Sequence, residues 1–235
     1  MKIAIIQFPG SNCDYDALHV LKDVLKQETS LVWHKEFNSG DYDAVILPGG
    51  FSYGDHLRAG VIAAYSPAMR HVREMAAEGK PVLGICNGFQ ILIEAKLLDG
   101  ALLQNDCLTF VCKWVNLRVE TTRTPFTRYV KKSSIIRIPI AHKEGRYVNT
   151  RKRIKELYDN DQIVFKYVDE SGVESREANP NGSMDNIAGI CNLEGNVVGL
   201  MPHPERASET VLSPYRTEHG RLIFESLIKS FNGGR

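Results

Sequence analysis

Three side chains have the types needed for nucleophilic attack on a carbonyl: the thiol of Cys86 and, more than a hundred positions later, the imidazole of His203 with the carboxylate of Glu205 two residues on. A thiolate attacks, an imidazole moves the proton, and a carboxylate behind the imidazole sets its tautomer and supports its charge. Cys86 lies within Pro81-Val82-Leu83-Gly84-Ile85-Cys86-Asn87-Gly88-Phe89-Gln90. The apolar run Val82–Ile85 suits a buried strand of a parallel sheet. After Phe89 the apolar positions Ile91, Leu92, Ala95 and Leu98 recur at helical spacing. Cys86 therefore falls where a strand turns into a helix, and Gly84 and Gly88 leave room for a tight turn. This is the pattern of a nucleophile elbow, with Cys where hydrolases place Ser. The N–H groups at a helix N-terminus favour an anion there, including a thiolate.

Of the seven histidines, His203 has the most constrained setting, Pro202-His203-Pro204-Glu205. Proline on either side restricts the backbone, and residues two apart in an extended segment point the same way. Glu205 can then accept a hydrogen bond from the imidazole. Cys13 is a rival thiol, but no flanking glycines give it an elbow.

The elements that must position these groups can be read in order. Lys2–Phe8, Leu31–His34, Ala44–Leu47 and Val82–Ile85 read as strands. A helix with the apolar face Ala17, Leu18, Leu21, Val24 and Leu25 follows the first, with Asn12 or Asp14 as its cap. Another spans about Ala59–Glu78. Strand alternating with helix over short links implies a flavodoxin-like, doubly wound, mostly parallel α/β sheet with helices on both faces. Ligands of such sheets bind beyond the carboxyl ends of the strands, the edge on which Cys13, Gly49-Gly50 and Cys86 fall.

From about Thr109 the strands lengthen (110–120 and 135–140), which suggests an antiparallel extension. The Thr121–Ser134 link, with four basic residues besides Phe126 and Tyr129, reads as a solvated loop or partner-facing surface, as does Arg151-Lys152-Arg153. Segments 187–192 and 197–201 form a hairpin about Glu194-Gly195-Asn196. A closing helix buries Leu222, Ile223, Leu227, Ile228 and Phe231, and its tail, Asn232-Gly233-Gly234, frays. A single domain over residues 1–235 is expected.

Composition narrows the function classes. The chain has 235 residues, 43% of them hydrophobic, and a formal net charge of +1, which gives no field drawing it to nucleic acid or an anionic membrane. No apolar run approaches the length of a membrane span, and no signal peptide is expected at the N-terminus. The five cysteines are odd in number and form no CxxC pair, so no metal is expected and a reducing, cytoplasmic compartment is.

Gly84-x-Cys86-x-Gly88-x-Gln90, with the later His203-Pro204-Glu205, resembles the nucleophile motif and triad of class I glutamine amidotransferases. The resemblance implies that fold, with Cys86, His203 and Glu205 catalytic. It implies an oxyanion hole from the backbone N–H groups of Gly50 and Asn87, and glutamine contacts from Gly49, Phe51, Gln90 and His142. Glu94, one turn beyond Gln90, either steadies it or faces solvent. Longer strings are similar to the glutaminase subunits of phosphoribosylformylglycinamidine synthases: Phe8-Pro9-Gly10-Ser11-Asn12-Cys13, Gly49–Asp55, Leu57–Gly60, Pro139–His142 and Asn179–Ser183. Where that family often has Gly-Glu-Gly after Ala141-His142, this chain has Lys143-Glu144-Gly145.

The resemblance further implies a Cys86 thioester, with ammonia passed to a partner that makes formylglycinamidine ribonucleotide for purine biosynthesis. The partners would be a large synthase subunit of the PurL type, carrying ATP and Mg, and a small third subunit of the PurS type. No cofactor is expected on this chain. The basic excursion and the Tyr53–Arg58 loop are candidates for the docking face. A glutaminase for another acceptor would share the triad but not the Phe51–Asp55 string. A cysteine peptidase or chaperone would share the elbow without the late His-Pro-Glu. A non-catalytic binding subunit is the remaining alternative.

Overall fold

The computed structural model describes residues 1–233. The first half alternates as expected: β1 (Lys2–Gln7), α1 (Asp14–Leu18), β2 (Glu28–Trp33), β3 (Ala44–Leu47), α2 (Val61–Ala64), α3 (Ala68–Ala77), β4 (Val82–Ile85) and α4 (Asn87–Glu94). The second half adds β5 (Ala101–Leu103), β6 (Val111–Val119), β7 (Ile135–His142), β8 (Arg146–Val148), α5 (Arg151–Asp159), β9 (Ile163–Val168), β10 (Ile187–Cys191), β11 (Val197–Leu200) and α6 (Arg221–Asn232).

Nine strands form one sheet in the order β2-β1-β3-β4-β11-β10-β9-β6-β7, and β5 pairs with β8 apart from it. The first five run parallel, in the 2-1-3-4-5 order of flavodoxin-like sheets with β11 as the fifth. The remaining pairings are antiparallel. β4 lies inside the parallel half between β3 and β11, and Val82, Leu83 and Ile85 are fully buried. Each such side chain stabilises the fold by about 1.5–3 kcal/mol relative to exposure. The elbow thus rests on a firmly held strand.

The sheet does not stay flat. The β9–β10 register shifts at Ile187/Gly189 and again at Gly189/Ile190, and bulges of this kind bend and twist a strand. Although β7 is an edge strand four places from β11, it reaches the segment that follows β11: His203 N–H donates to the Pro139 carbonyl (2.8 Å). The antiparallel extension therefore wraps its last strand back over the carboxyl edge of the parallel half.

Several local readings need correction. The expected helix over 59–78 is two helices, α2 and α3, because Pro67 has no N–H to donate and disfavours a helical residue before it. Neither Asn12 nor Asp14 caps α1. The N-cap is Cys13, without a side-chain cap bond, and Asp14 instead accepts from the Gln7 amide (2.7 Å). The 121–134 link is no solvated loop. Phe126, Val130, Thr121, Thr124 and Thr127 are buried, and Ser226 and Ser230 of α6 donate to the Pro125 carbonyl.

Arg151-Lys152-Arg153 opens α5, where the Thr150 side chain accepts from the Arg153 N–H (3.3 Å) and Ile154 and Leu157 face inward. β9 was not expected from the sequence: Lys166 interrupts its apolar run, yet the ammonium is buried against Glu174 and Tyr158. α6 continues through Asn232 where fraying was expected, and Gly234 lies outside the described residues.

Candidate active site

Cys86 sits between β4 and α4 with φ 49° and ψ −104°, a strained conformation for a side chain other than glycine. Packing on both sides enforces it. A Cβ on Gly88 would stand 2.0 Å from the Leu47 carbonyl oxygen, so helix α4 can start this close to β3 only without a side chain there. Asn87 is the first residue of α4, and its N–H is among those a helix leaves without an internal acceptor. The Asn87 side chain ties the neighbourhood together, accepting from Ser52 N–H (3.2 Å) and donating to Gln90 Oε1 (2.9 Å).

His203 follows β11, the strand paired in parallel with β4, so imidazole and thiol arrive side by side from adjacent strand ends. Its Nδ1 lies 2.6 Å from Glu205 Oε1, and both side chains are buried. The i, i+2 relation holds, although Pro204 starts a 3₁₀ turn where an extended segment was expected. Burial opposes a charge on His203, but Glu205 and the Cys86 and Cys13 thiols outweigh it and hold the imidazolium well above its ordinary pKa. Removing the Cβ matters at Gly49 too, since one there would come within 2.8 Å of His203 Cε1 and 3.0 Å of Cys13 Sγ.

A cavity of about 290 Å³ opens beside the thiol, bounded by Gly50, Phe51, Cys86, Gln90, His142 and Glu144 among others. This is at the small end for a ligand pocket and suits an amino acid. Gln90 does not hang free in it: its amide donates to the Glu144 carbonyl (2.7 Å), so it holds the 143–145 loop against α4. Glu94 neither steadies Gln90 nor faces solvent alone, because it pairs with Arg58. His142 is buried, and burial, with His203 nearby, drives its pKa down to about 3, so it is neutral. Its Nδ1 lies 3.2 Å from Asn105 Oδ1. Lys143 is exposed on the cavity rim, and its carbonyl accepts from Asn105 N–H (2.8 Å).

Two features were missed in the sequence. Asp55 also lines the cavity, and burial together with the charge of Glu144 raises its pKa to about 6. Cys13, set aside as a rival thiol, lies against the same imidazole and accepts a hydrogen bond from Arg206 Nη2 (3.1 Å). The sequence already places Cys13 on the same sheet edge as Cys86; what it does not show is that both thiols meet one imidazole, which follows from β11 ending on that edge beside β4.

Residues 1–234 match the family model described as the CobB/CobQ-like glutamine amidotransferase domain. Phosphoribosylformylglycinamidine synthase subunit PurQ of Methanosarcina acetivorans is 59% identical over 227 residues, covering 97% of each chain. The PurQ subunit of Aquifex aeolicus is 52% identical over 228 residues, covering 97% of this chain and 99% of its own. Among solved structures, a chain of PurLQS from Thermotoga maritima superposes with a TM-score of 0.86 at 44% identity, over 98% of both chains. A thiol elbow, a buried His–Glu pair and relatives matched end to end agree: the chain belongs to the CobB/CobQ-like glutamine amidotransferase family, among its PurQ glutaminase subunits.

Proposed function

We propose that the chain hydrolyses glutamine through Cys86 and delivers the ammonia to a synthase that turns formylglycinamide ribonucleotide and ATP into formylglycinamidine ribonucleotide. The observation that carries this reading is the buried His203–Glu205 pair presented to a thiol on a strained elbow beside an amino-acid-sized cavity. Cys86 attacks the side-chain amide carbon of glutamine. The negative charge that develops on the amide oxygen is met by the N–H groups of Gly50 and Asn87, worth a few kcal/mol if fixed in advance. His203 gives its proton to the departing nitrogen, ammonia leaves, and a glutamyl thioester remains. Water, deprotonated by His203, then releases glutamate. Glu205 holds the imidazole throughout. Gly49, Phe51, Gln90 and His142 shape the glutamine pocket.

The PurLQS relative supports a large PurL-type partner and a small PurS-type one. ATP and Mg belong on the large subunit. For docking, the Tyr53–Arg58 loop is favoured over the 121–134 excursion. The loop borders the cavity and exposes Leu57 almost completely (94%). The excursion packs near Pro81 and the Glu194-Gly195 turn, at the opposite end of β4 and β11. Five free thiols fit a reducing, cytoplasmic setting, and among the described residues no helix is long and apolar enough to cross a membrane. Residues 1–235 act as one amidotransferase domain.

The decisive experiment compares glutamine hydrolysis by the wild type and Cys86→Ala, each with and without the large subunit and its nucleotides. Hydrolysis should vanish in the variant and rise with the partner in the wild type. Normal turnover by Cys86→Ala would remove the nucleophile from this account.

A further inference from the structure

The cluster around His203 has a second chemistry that glutamine hydrolysis does not use. The donor atoms of Cys13, His203 and Glu205 lie within 4.8 Å of one another, and all three residues are buried. Cys86 faces the same imidazole from the elbow and lines the same small cavity, but it lies outside that 4.8 Å set, so its thiol must close on an ion held there. His203 turns Nδ1 to Glu205 at 2.6 Å, and Nε2 has no hydrogen bond of regular geometry among the described residues. A carboxylate behind a histidine, with the far nitrogen free, is the arrangement that orients imidazole ligands on zinc. Thiolates are the other preferred ligands of that ion.

We propose that this site binds a thiophilic divalent cation of the Zn²⁺ class through Cys13 Sγ, Cys86 Sγ and His203 Nε2, and that the bound ion blocks the glutaminase. Three protein ligands leave a fourth tetrahedral position, which opens on a small cavity of about 70 Å³ bounded by Asn12, Gly50, Phe110 and Ala141 besides these residues. That space has room for a water as the fourth ligand. Binding displaces protons from the thiols and the imidazole to solvent, and nothing is oxidised. The Arg206 guanidinium, 3.1 Å from Cys13 Sγ, opposes a cation at that point. It already has a second partner, Asp16 Oδ2, at 3.1 Å, and its side chain is partly exposed, so it can turn outward to that carboxylate. Inhibition follows because the ion occupies both the nucleophile and the proton carrier. Cys13 is what distinguishes the proposal from chance poisoning of any active-site thiol.

The test adds ZnCl₂ to the subunit assembled with its synthase and measures glutamine hydrolysis, with Cys13→Ala beside the wild type. With each protein's hydrolysis taken relative to its own rate without zinc, the zinc concentration for half-inhibition should be at least about 10-fold higher for Cys13→Ala. Equal sensitivity of the two proteins would overturn the proposal. If Cys13→Ala fails to fold, the wild type alone decides by alkylation and mass spectrometry. One equivalent of Zn²⁺ should shield Cys13 and Cys86 together while the exposed Cys107 and Cys112 still react. Shielding of Cys107 and Cys112 instead, or of Cys86 without Cys13, would refute it. The shielding does not require that Cys86 be the nucleophile, so its loss and the failure of the hydrolytic reading are separate results.

Discussion

Two strand-to-helix junctions end on the same imidazole, and they differ in nearly everything that makes a thiol useful. At the β4–α4 junction Cys86 is strained, with φ 49°, and precedes a helix of eight residues. At the β1–α1 junction Cys13 is relaxed, with φ −102°, and precedes a helix of only five residues that loosens into a π turn. Cys86 borders both cavities, whereas Cys13 borders only the smaller. Burial raises the Cys13 pKa, so that thiol keeps its proton despite the neighbouring cations. On the proposed mechanism, nearness to a histidine does not select the nucleophile; the elbow does, because it aims Cys86 at the larger cavity, which Cys13 does not border. The largest expected effect tests this directly: Cys86→Ala should lower glutamine hydrolysis by about 10⁴-fold or more, and Cys13→Ala by less than about threefold. Steady-state assays giving the reverse order would exchange the roles of the two junctions.

The imidazole common to both junctions gives the next effect. Glu205→Gln removes the carboxylate that supports the imidazolium, and kcat should fall by about 10³-fold. The pH dependence has a definite sign. With Glu205 present, the folded pKa of His203 is raised, so the stability it contributes is complete below the unfolded value of about 6.5. That contribution is lost as the pH climbs through the raised folded value. In Glu205→Gln the imidazolium gives up its proton earlier, and the alkaline limb of the kcat/KM profile should move to lower pH. An unmoved limb would mean that another group sets it.

The junctions also show how much could be read in advance. The β4–α4 junction was legible because its chemistry is local: an apolar strand, two glycines and a helical period lie within about fifteen residues. The same holds for the parallel half of the sheet and the β10–β11 hairpin. What escaped reading depends on distant contacts. Lys166 hides β9 in the sequence because its partners, Tyr158 and Glu174, belong to other segments. Phe126 and Val130 looked like members of a basic loop because α6, which they pack beneath, comes about a hundred residues later. Glu94 was read as either steadying Gln90 or facing solvent, yet each side chain is taken by a loop, Gln90 by the Glu144 carbonyl and Glu94 by Arg58. Thr150, followed by Ile154 and Leu157, was a usable signal for α5 that the neighbouring charges masked.

Stability separates the junctions as well. Two residues past Cys86 stands Gly88, whose added Cβ would meet a carbonyl oxygen at 2.0 Å; two residues past Cys13 stands the exposed Tyr15. Gly88→Ala should destabilise the fold by about 3 kcal/mol, through overpacking against backbone that cannot yield. Tyr15→Ala should change stability by less than about 0.5 kcal/mol. Denaturant unfolding measures both. A mild Gly88→Ala would show that α4 can slide along β3, and that the strain at Cys86 is not enforced by this contact.

The smallest effect concerns the loop that spans both junctions. Its Phe51 and Tyr53 N–H groups donate to Gly10 and Pro9 after β1, and its Ser52 N–H donates to Asn87 at the start of α4. Asp55 sits at the far end of this strap, its pKa raised to about 6 first by burial and then by the charge of Glu144. The folded protein therefore holds the Asp55 proton more tightly than the unfolded chain does. Stability falls as the pH rises from the unfolded value near 4 to about 6, and the loss is complete above that. Asn at this position keeps the shape and removes the charge. Asp55→Asn should match the wild type below about pH 4 and be more stable at pH 7. Screening by the solvent that reaches this loop keeps the gain to about 1 kcal/mol. Thermal unfolding across that range reads the difference. A variant less stable than the wild type at pH 7 would mean that the ionised carboxylate holds the strap in place, tying the two junctions through charge rather than through backbone hydrogen bonds.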